Sequence, residues 1–409
     1  MKNEKQGEMK YIVLVGDGMG DYPLPELEGK TPLEAANTPN MDRIAACRIG
    51  LANTIPEGLE PGSDTANLSL MGYDPAVYHT GRGPFEAASM GISLGKDAVA
   101  FRMNLVTLNR KSESEIIMVS NSAGGIATEE AEILVKDLKE EMVAPGVRLY
   151  PGVAYRHLLV WDDGPEDAAT IPPHDVQDQN MTEYLNPGGK DGIVTLIRRS
   201  WPLLEKHPIN LSREERGLLP GNSIWLWGQG KALNVPLFKE RYGLSGGVIS
   251  AVDLLKGIGV YAGLKIIDVE GATGYLDTNY SGKATEALNA LNELDFMFVH
   301  VEAPDEASHE GSISNKIQAI EAFDEKVVGT VLLGMERFDN YRVLVAADHF
   351  TPISIKTHST DPTLFAWAGK EDLAAGRVGG GFTERFAKES GIHYRKGYEL
   401  LPDFLGQSQ

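Results

Sequence analysis

The sequence predicts an α/β fold, with a parallel-sheet core and a second α/β domain inserted into it. Three observations carry this. First, residues 11–15 (YIVLV), 295–301 (DFMFVHV) and 341–347 (YRVLVAA) are short, nearly continuous apolar runs rich in β-branched and aromatic side chains. That is the pattern of strands covered on both faces. Second, helical patterns lie between these runs, and alternation of strand and helix argues for α/β architecture. Third, residues 79–266 change character, with many short strand patterns and two helical ones.

In chain order, residues 38–46 (TPNMDRIAA) read as a helix with Thr38 as N-cap and Pro39 in the first turn. In the middle segment, AVAFRMNLVTL, SEIIMVS, VRLYP, AYRHLLVW and SIWLW suggest strands, while ATEEAEILVKDLKEEM and DGIVTLIRRSWPLLEKH suggest helices. Residues 314–333 place apolar side chains at helical spacing. The expected division is therefore 1–78 with 267–409 as one domain and 79–266 as the insertion. No fixed-period repeat is evident.

The chain has 409 residues, enough for two domains. It is 42% hydrophobic and 23% charged, which fits a globular protein. Its 38 basic residues against 58 acidic ones give a net charge of −20. Such a surface repels a phosphate backbone, so no nucleic-acid partner is expected. A small anionic substrate stays open, because arginines and a metal can reverse the field inside one cleft. Cys47 is the single cysteine; no internal disulfide can form, and a reducing cytoplasm is the simplest compartment. The opening MKNEKQGEMK leads into an apolar run too short for a signal sequence. No run approaches the ~18 apolar residues of a membrane span, and nothing specifies an oligomeric state.

Each apolar run ends in acidic residues within turn-forming sequence. The first ends in Gly16-Asp17-Gly18, the second leads through His300, Glu302 and Pro304 to Asp305 and His309, and the third ends in Asp348-His349. Ligands of open parallel sheets gather beyond the carboxyl ends of strands. A lone Asp17 also serves as a turn residue. A dinucleotide loop is rejected, since Asp21 stands where its third glycine is needed. Asp305 and His309 are four apart, on one face of a helix, where they can share a metal or form a solvated ion pair. His358, in KTHST, can return to the same edge or sit on the surface. Together these groups crowd several carboxylates, which divalent cations would relieve. The mixed oxygen and nitrogen set suits Mn²⁺, Zn²⁺ or Mg²⁺, and two such ions form a clamp for phosphoryl transfer.

A separate run reads Pro61-Gly62-Ser63-Asp64-Thr65 and ends at Gly72. Ser63 is expected as the N-cap of a short helix. A helix N-terminus also attracts phosphate, and a serine oxygen held by a metal there is a competent nucleophile.

The runs VGDGMGD, TPLEAANTPNMDRIA and PGSDTANLSLMGYDP resemble the opening of archaeal-type cofactor-independent phosphoglycerate mutases, of the alkaline phosphatase superfamily. HVEAPDEASHEG, AADHFTP and KTHSTDP resemble the later metal motifs of that family, in the same order. The resemblance implies an alkaline-phosphatase-like core, an inserted substrate-covering domain and a phosphoserine intermediate on Ser63. It also implies two divalent metal ions, Mn²⁺ foremost with Mg²⁺, Zn²⁺ or Co²⁺ as alternatives. Asp17, Ser63, Asp348 and His349 would hold one ion, and Asp305, His309 and His358 the other. The substrate would be a small phosphorylated molecule, with the phosphoryl group moving between the 3- and 2-hydroxyls of glycerate. One motif departs from the family: Ser122 and Gly125 stand where the pattern D-x-R-A-G-R carries arginines, and neither can form a bidentate fork. Arg82, Arg102, Arg156 and Lys283 remain as candidate substrate contacts. The departure leaves transfer to another small alcohol, such as homoserine, as the alternative, and simple phosphomonoester hydrolysis as a third.

Overall fold

The computed structural model describes residues 9–112, 114–142, 144–186 and 192–407. The expectation for the opening MKNEKQGE segment and the first residue of the helix expected from Asp191 lie outside these. In chain order the strands are β1 (Met9–Gly16), β2 (Ile49–Ala52), β3 (Ala98–Ser112), β4 (Glu115–Ser120), β5 (Val147–Tyr150), β6 (Arg156–Asp162), β7 (Ser223–Lys231), β8 (Gly246–Ile249), β9 (Lys265–Ile266), β10 (Phe296–Val301), β11 (Asn340–Ala347), β12 (Thr363–Gly369) and β13 (His393–Tyr394). The chain forms two compact units, residues 1–79 with 234–409, and residues 80–233.

The larger unit holds an eight-stranded sheet in the order β13-β2-β12-β11-β1-β10-β8-β9. Its centre is parallel: β1 pairs with β10 and β11, and β10 with β8. Among the described residues of this sheet only the pairings of β12 are antiparallel. Buried side chains fill both faces of β1 and β10, which is why these strands read as continuous apolar runs. The register brings Gly16 level with Val301 on one side and with Ala347 on the other. Three carboxyl ends therefore stop at one height, and the segment after each is delivered to one edge.

Two helices show how the sequence closes this unit. Helix Pro39–Ala45 forms as expected, but Thr38 does not cap it. Its first amides are met by Asp324 instead, which accepts from Met41 N at 2.7 Å and Asn40 N at 3.3 Å. Asp324 lies in a π-helical turn, Phe323–Gly329, inside what sequence periodicity reads as one long helix. Such turns widen a helix locally and re-aim the side chains they carry.

The smaller unit is a five-stranded sheet in which every pairing is antiparallel. Helices Thr128–Glu141 and Ile193–Glu205 cover it, and Phe101, Met103, Leu134, Ile197 and Trp225 share its core. Strand and helix positions match the sequence reading. The second crossing falls at 233/234 rather than 266, because β8 and β9 pair into the larger sheet. The four-residue strand Gly246–Ile249 carries two glycines, too weak a signal to claim a sheet by itself. Among the described residues no helix is long and apolar enough to cross a membrane.

Candidate active site

Asp17 follows β1, Asp348 and His349 follow β11, and Asp305 and His309 lie on helix Ala303–Glu310 just after β10. Ser63 starts helix Ser63–Leu70. The N-cap position belongs to Gly62 and no side chain caps the helix, so the expected capping role of Ser63 gives way to another contact. Its hydroxyl lies 3.2 Å from Nε2 of His349. The same Nε2 is 3.2 Å from Asp17 Oδ1 and 3.6 Å from Asp348 Oδ2. His358 lies near both other histidines, with ring centroids 4.2 Å from His349 and 4.9 Å from His309. All seven side chains expected to bind metal therefore meet in one cluster.

The placement of protons shows what the cluster suits. Thr351 has one hydroxyl proton, which it gives to Asp305 Oδ1. It can then only accept from Nδ1 of His349, 3.2 Å away. Neutral His349 thus turns a lone pair at Nε2 toward Asp17 Oδ1, a buried atom without a hydrogen-bond donor. The second group repeats the logic. Nδ1 of His309 faces the carbonyl of Lys356 at 3.0 Å, and Nδ1 of His358 faces that of Pro61 at 3.3 Å. A carbonyl only accepts, so in the neutral rings both Nε2 atoms bear lone pairs. These lie 3.1 Å apart, with Asp305 Oδ2 3.0 Å from His309. Ligand atoms of Asp305, His309 and His358 fall within 4.8 Å of one another, as do those of Asp17, Asp305 and His349. Lone pairs converging without protons fit divalent cations bound by oxygen and imidazole nitrogen.

Electrostatics agree. Burial, then the charges of Asp348, Glu302 and Asp305, push Asp17 well above the usual carboxylate range. Burial would lower His309, yet its hydrogen bond to Asp305 and that carboxylate's charge raise it to about 9. Without metal, then, a proton sits on a ring whose lone pair a cation would need. Because this pKa is raised, the proton is bound at neutral pH and must leave on metal binding. Between about pH 7 and about 9, Mn²⁺ affinity should rise up to roughly tenfold per unit, with about one proton released per ion. Calorimetric titration across that range checks this; an affinity independent of pH would sink it.

Several partners carry weaker sequence signals. His300 is wholly buried, shares a hydrogen bond with Asp17 Oδ2 over 2.9 Å, and is pushed down to about 3 by burial, so it is neutral. A histidine inside an apolar strand is the clue to it. Asn67 lies one turn beyond Ser63 and donates to Asp348 Oδ2 at 2.7 Å. Glu302, largely but not wholly buried, is raised to about 8 by burial and the charge of Asp305. Lys283, expected at the substrate, is wholly buried and donates to the carbonyl of His300 at 3.0 Å. Burial lowers it to about 8, and its ammonium supports the chain under Asp17 rather than facing a ligand.

The other three expected contacts lie in the smaller unit. Arg102 pairs with Glu86 at 2.7 Å and lies 4.2 Å from the centre of the Trp227 ring, with Arg82 at 5.9 Å from the same ring. Arg156 is opposite Asn104 on β6, on the same sheet face as Arg102. Burial first, and then the charges of Arg82 and Arg156, lower the pKa of Arg102 despite Glu86. The charges of Arg82 and Arg156 both act on Arg102, so these guanidinium groups lie near one another, with Glu86 paired to Arg102.

Fold and cluster together define an α/β enzyme built around candidate metal-binding groups. Comparison with known proteins gives the particular family. A family model described as 2,3-bisphosphoglycerate-independent phosphoglycerate mutase matches residues 45–210. A Methanosarcina barkeri protein named 2,3-bisphosphoglycerate-independent phosphoglycerate mutase is 52% identical over 96% of this chain and 98% of its own. A Geobacter sulfurreducens protein named a probable enzyme of the same kind is 50% identical over 97% of this chain and all of its own. A solved Pyrococcus horikoshii structure matches with TM-score 0.80 and 31% identity, covering 98% of each chain. The chain belongs to the 2,3-bisphosphoglycerate-independent phosphoglycerate mutase family.

Proposed function

We propose that this protein interconverts 3-phosphoglycerate and 2-phosphoglycerate without 2,3-bisphosphoglycerate, through a phosphoserine at Ser63, as a cytoplasmic step of glycolysis and gluconeogenesis. The observation that carries the reading is the placement of the Ser63 hydroxyl, at a helix start and beside converging lone pairs of His349, Asp17 and Asp348. In this reading one divalent cation is held by Asp17, Ser63, Asp348 and His349, and another by Asp305, His309 and His358, with Mn²⁺ foremost. Such ions supply positive charge that favours the deprotonated serine and the transferring phosphoryl group. Ser63 Oγ forms a bond to phosphorus as the bond to the 3-oxygen breaks, and the serine proton ends on the 3-hydroxyl of glycerate. Glycerate reorients, its 2-oxygen attacks the phosphoserine, and the proton of that hydroxyl returns to Ser63. The amides of the first turn of helix Ser63–Leu70 favour the phosphoryl oxygens.

Arg82, Arg102 and Arg156 would take the anionic groups of the substrate, supplying the charge that Ser122 and Gly125 do not. An exposed phosphoserine hydrolyses instead of transferring, so the reaction needs water kept from Ser63. The names of the relatives favour the mutase over transfer to homoserine. With Mn²⁺ added, the purified protein should convert 3-phosphoglycerate to 2-phosphoglycerate with no added bisphosphoglycerate, read by coupling to enolase. No conversion, with ATP-dependent phosphorylation of homoserine instead, would overturn the reading.

A further inference from the structure

We propose that Lys316 is a positioning residue, whose ammonium ties the loops after β1 and β11 and so sets the spacing of Asp17, Asp348 and His349 without bonding to any of them. This rests on the metal site proposed above. Lys316 lies on helix Ile313–Ala322, the next helix after the one bearing Asp305 and His309, and is wholly buried. Its Nζ donates to the carbonyl of Gly20 at 3.2 Å, to Asp21 Oδ2 at 2.8 Å and to the carbonyl of Thr351 at 3.0 Å. Three donors thus meet three acceptors on the two ligand-bearing loops.

Both loops lead straight to the cluster. Gly20 is three residues past Asp17. Thr351 is two past His349, and its hydroxyl links His349 Nδ1 to Asp305 Oδ1. The loops also bond directly, Thr351 N to the Gly20 carbonyl at 3.1 Å and Ile353 N to Asp21 Oδ2 at 3.2 Å. They are packed without slack. A Cβ on Gly18, at φ +60°, would stand 2.5 Å from Asp305 Oδ1, and one on Gly20 would stand 2.2 Å from the Phe350 ring. Lys316 is therefore a cross-brace joining the segments after β1, β10 and β11. Its charge also balances Asp21, buried at 2% exposure beside an already acidic cluster. An apolar residue here would take the side-chain donor from the Thr351 carbonyl, leave the Gly20 carbonyl with Thr351 N alone and leave the buried Asp21 carboxylate without its cation, and the loops would relax apart.

The test compares Lys316→Met with wild type and with Asp324→Asn. Asp324 is also buried and hydrogen-bonded, but it holds helix Pro39–Ala45 and not the ligand loops. Metal-free proteins are titrated calorimetrically with Mn²⁺, and amide exchange is followed at Thr351 and Ile353. Lys316→Met should bind Mn²⁺ about 10–100-fold more weakly, the usual effect of losing an outer partner of a metal site. It should lose protection at both amides and lower kcat, with KM for 3-phosphoglycerate kept within about twofold. Asp324→Asn should lose thermal stability and keep its Mn²⁺ affinity. Mn²⁺ affinity and amide protection in Lys316→Met equal to wild type would overturn the proposal, even if stability fell. Should Lys316→Met not fold, Asp21→Asn is read in the same way, with a smaller loss in the same direction expected. Absence of mutase activity in wild type would overturn the functional reading alone, and the Mn²⁺ titration would still decide the role of Lys316.

Discussion

Replacing Ser63 by alanine should reduce mutase turnover by at least about 10⁴-fold, because the proposed route passes through a phosphoserine at that hydroxyl while the carboxylates and imidazoles of the cluster are committed to metal. The protein should stay folded. The serine hydroxyl is not a helix cap, and its neighbour is the Nε2 of His349 rather than a core group. Stability should therefore change by about 1 kcal/mol or less. Trapping with labelled substrate should find phosphate on wild-type Ser63 and none on the variant. A Ser63→Ala protein that turns over within tenfold of wild type would remove the phosphoserine from the mechanism and leave a mutase whose serine is incidental.

The second large effect is that of metal removal. Asp17, Asp305 and Asp348 are almost wholly buried, with Glu302 beside them. Like charges this close are costly without a cation. Chelation should abolish activity, and Mn²⁺ should restore it. The loss should also appear as stability. An ion present at about 1,000 times its dissociation constant contributes roughly 4 kcal/mol to the folded state, so the chelated protein should melt several degrees lower. Identical melting curves with and without chelator would show that the cluster binds no ion tightly, and would return the convergent lone pairs to being an ordinary hydrogen-bond network.

Much of this is legible in the sequence, for a physical reason. A strand buried on both faces must be apolar throughout, so the polar residues at its end stand out. Asp17, Asp348 and His349 are visible that way, and Asp305 with His309 by helical spacing. The hidden part depends on partners distant in the chain. Nothing local distinguishes Lys316 from a surface lysine, because its acceptors come from loops about 300 and 35 residues away in sequence. Lys283 misleads for the same reason: a cation near a site motif reads as a substrate contact until burial is known. Whether the strands of the smaller unit run parallel or antiparallel is decided by pairing and not by composition. Gly246–Ile249 reads as part of the insertion because four residues with two glycines carry almost no pattern.

The placement of β1 has a consequence for how the molecule is made. This central strand is made before its two neighbours, β10 and β11, which are translated almost 300 and more than 300 residues later. Residues 80–233, by contrast, are contiguous and carry their own core. The interrupting segment can therefore mature during translation while the unit that surrounds it in sequence waits, with β1 unpaired, until β10 and β11 are made.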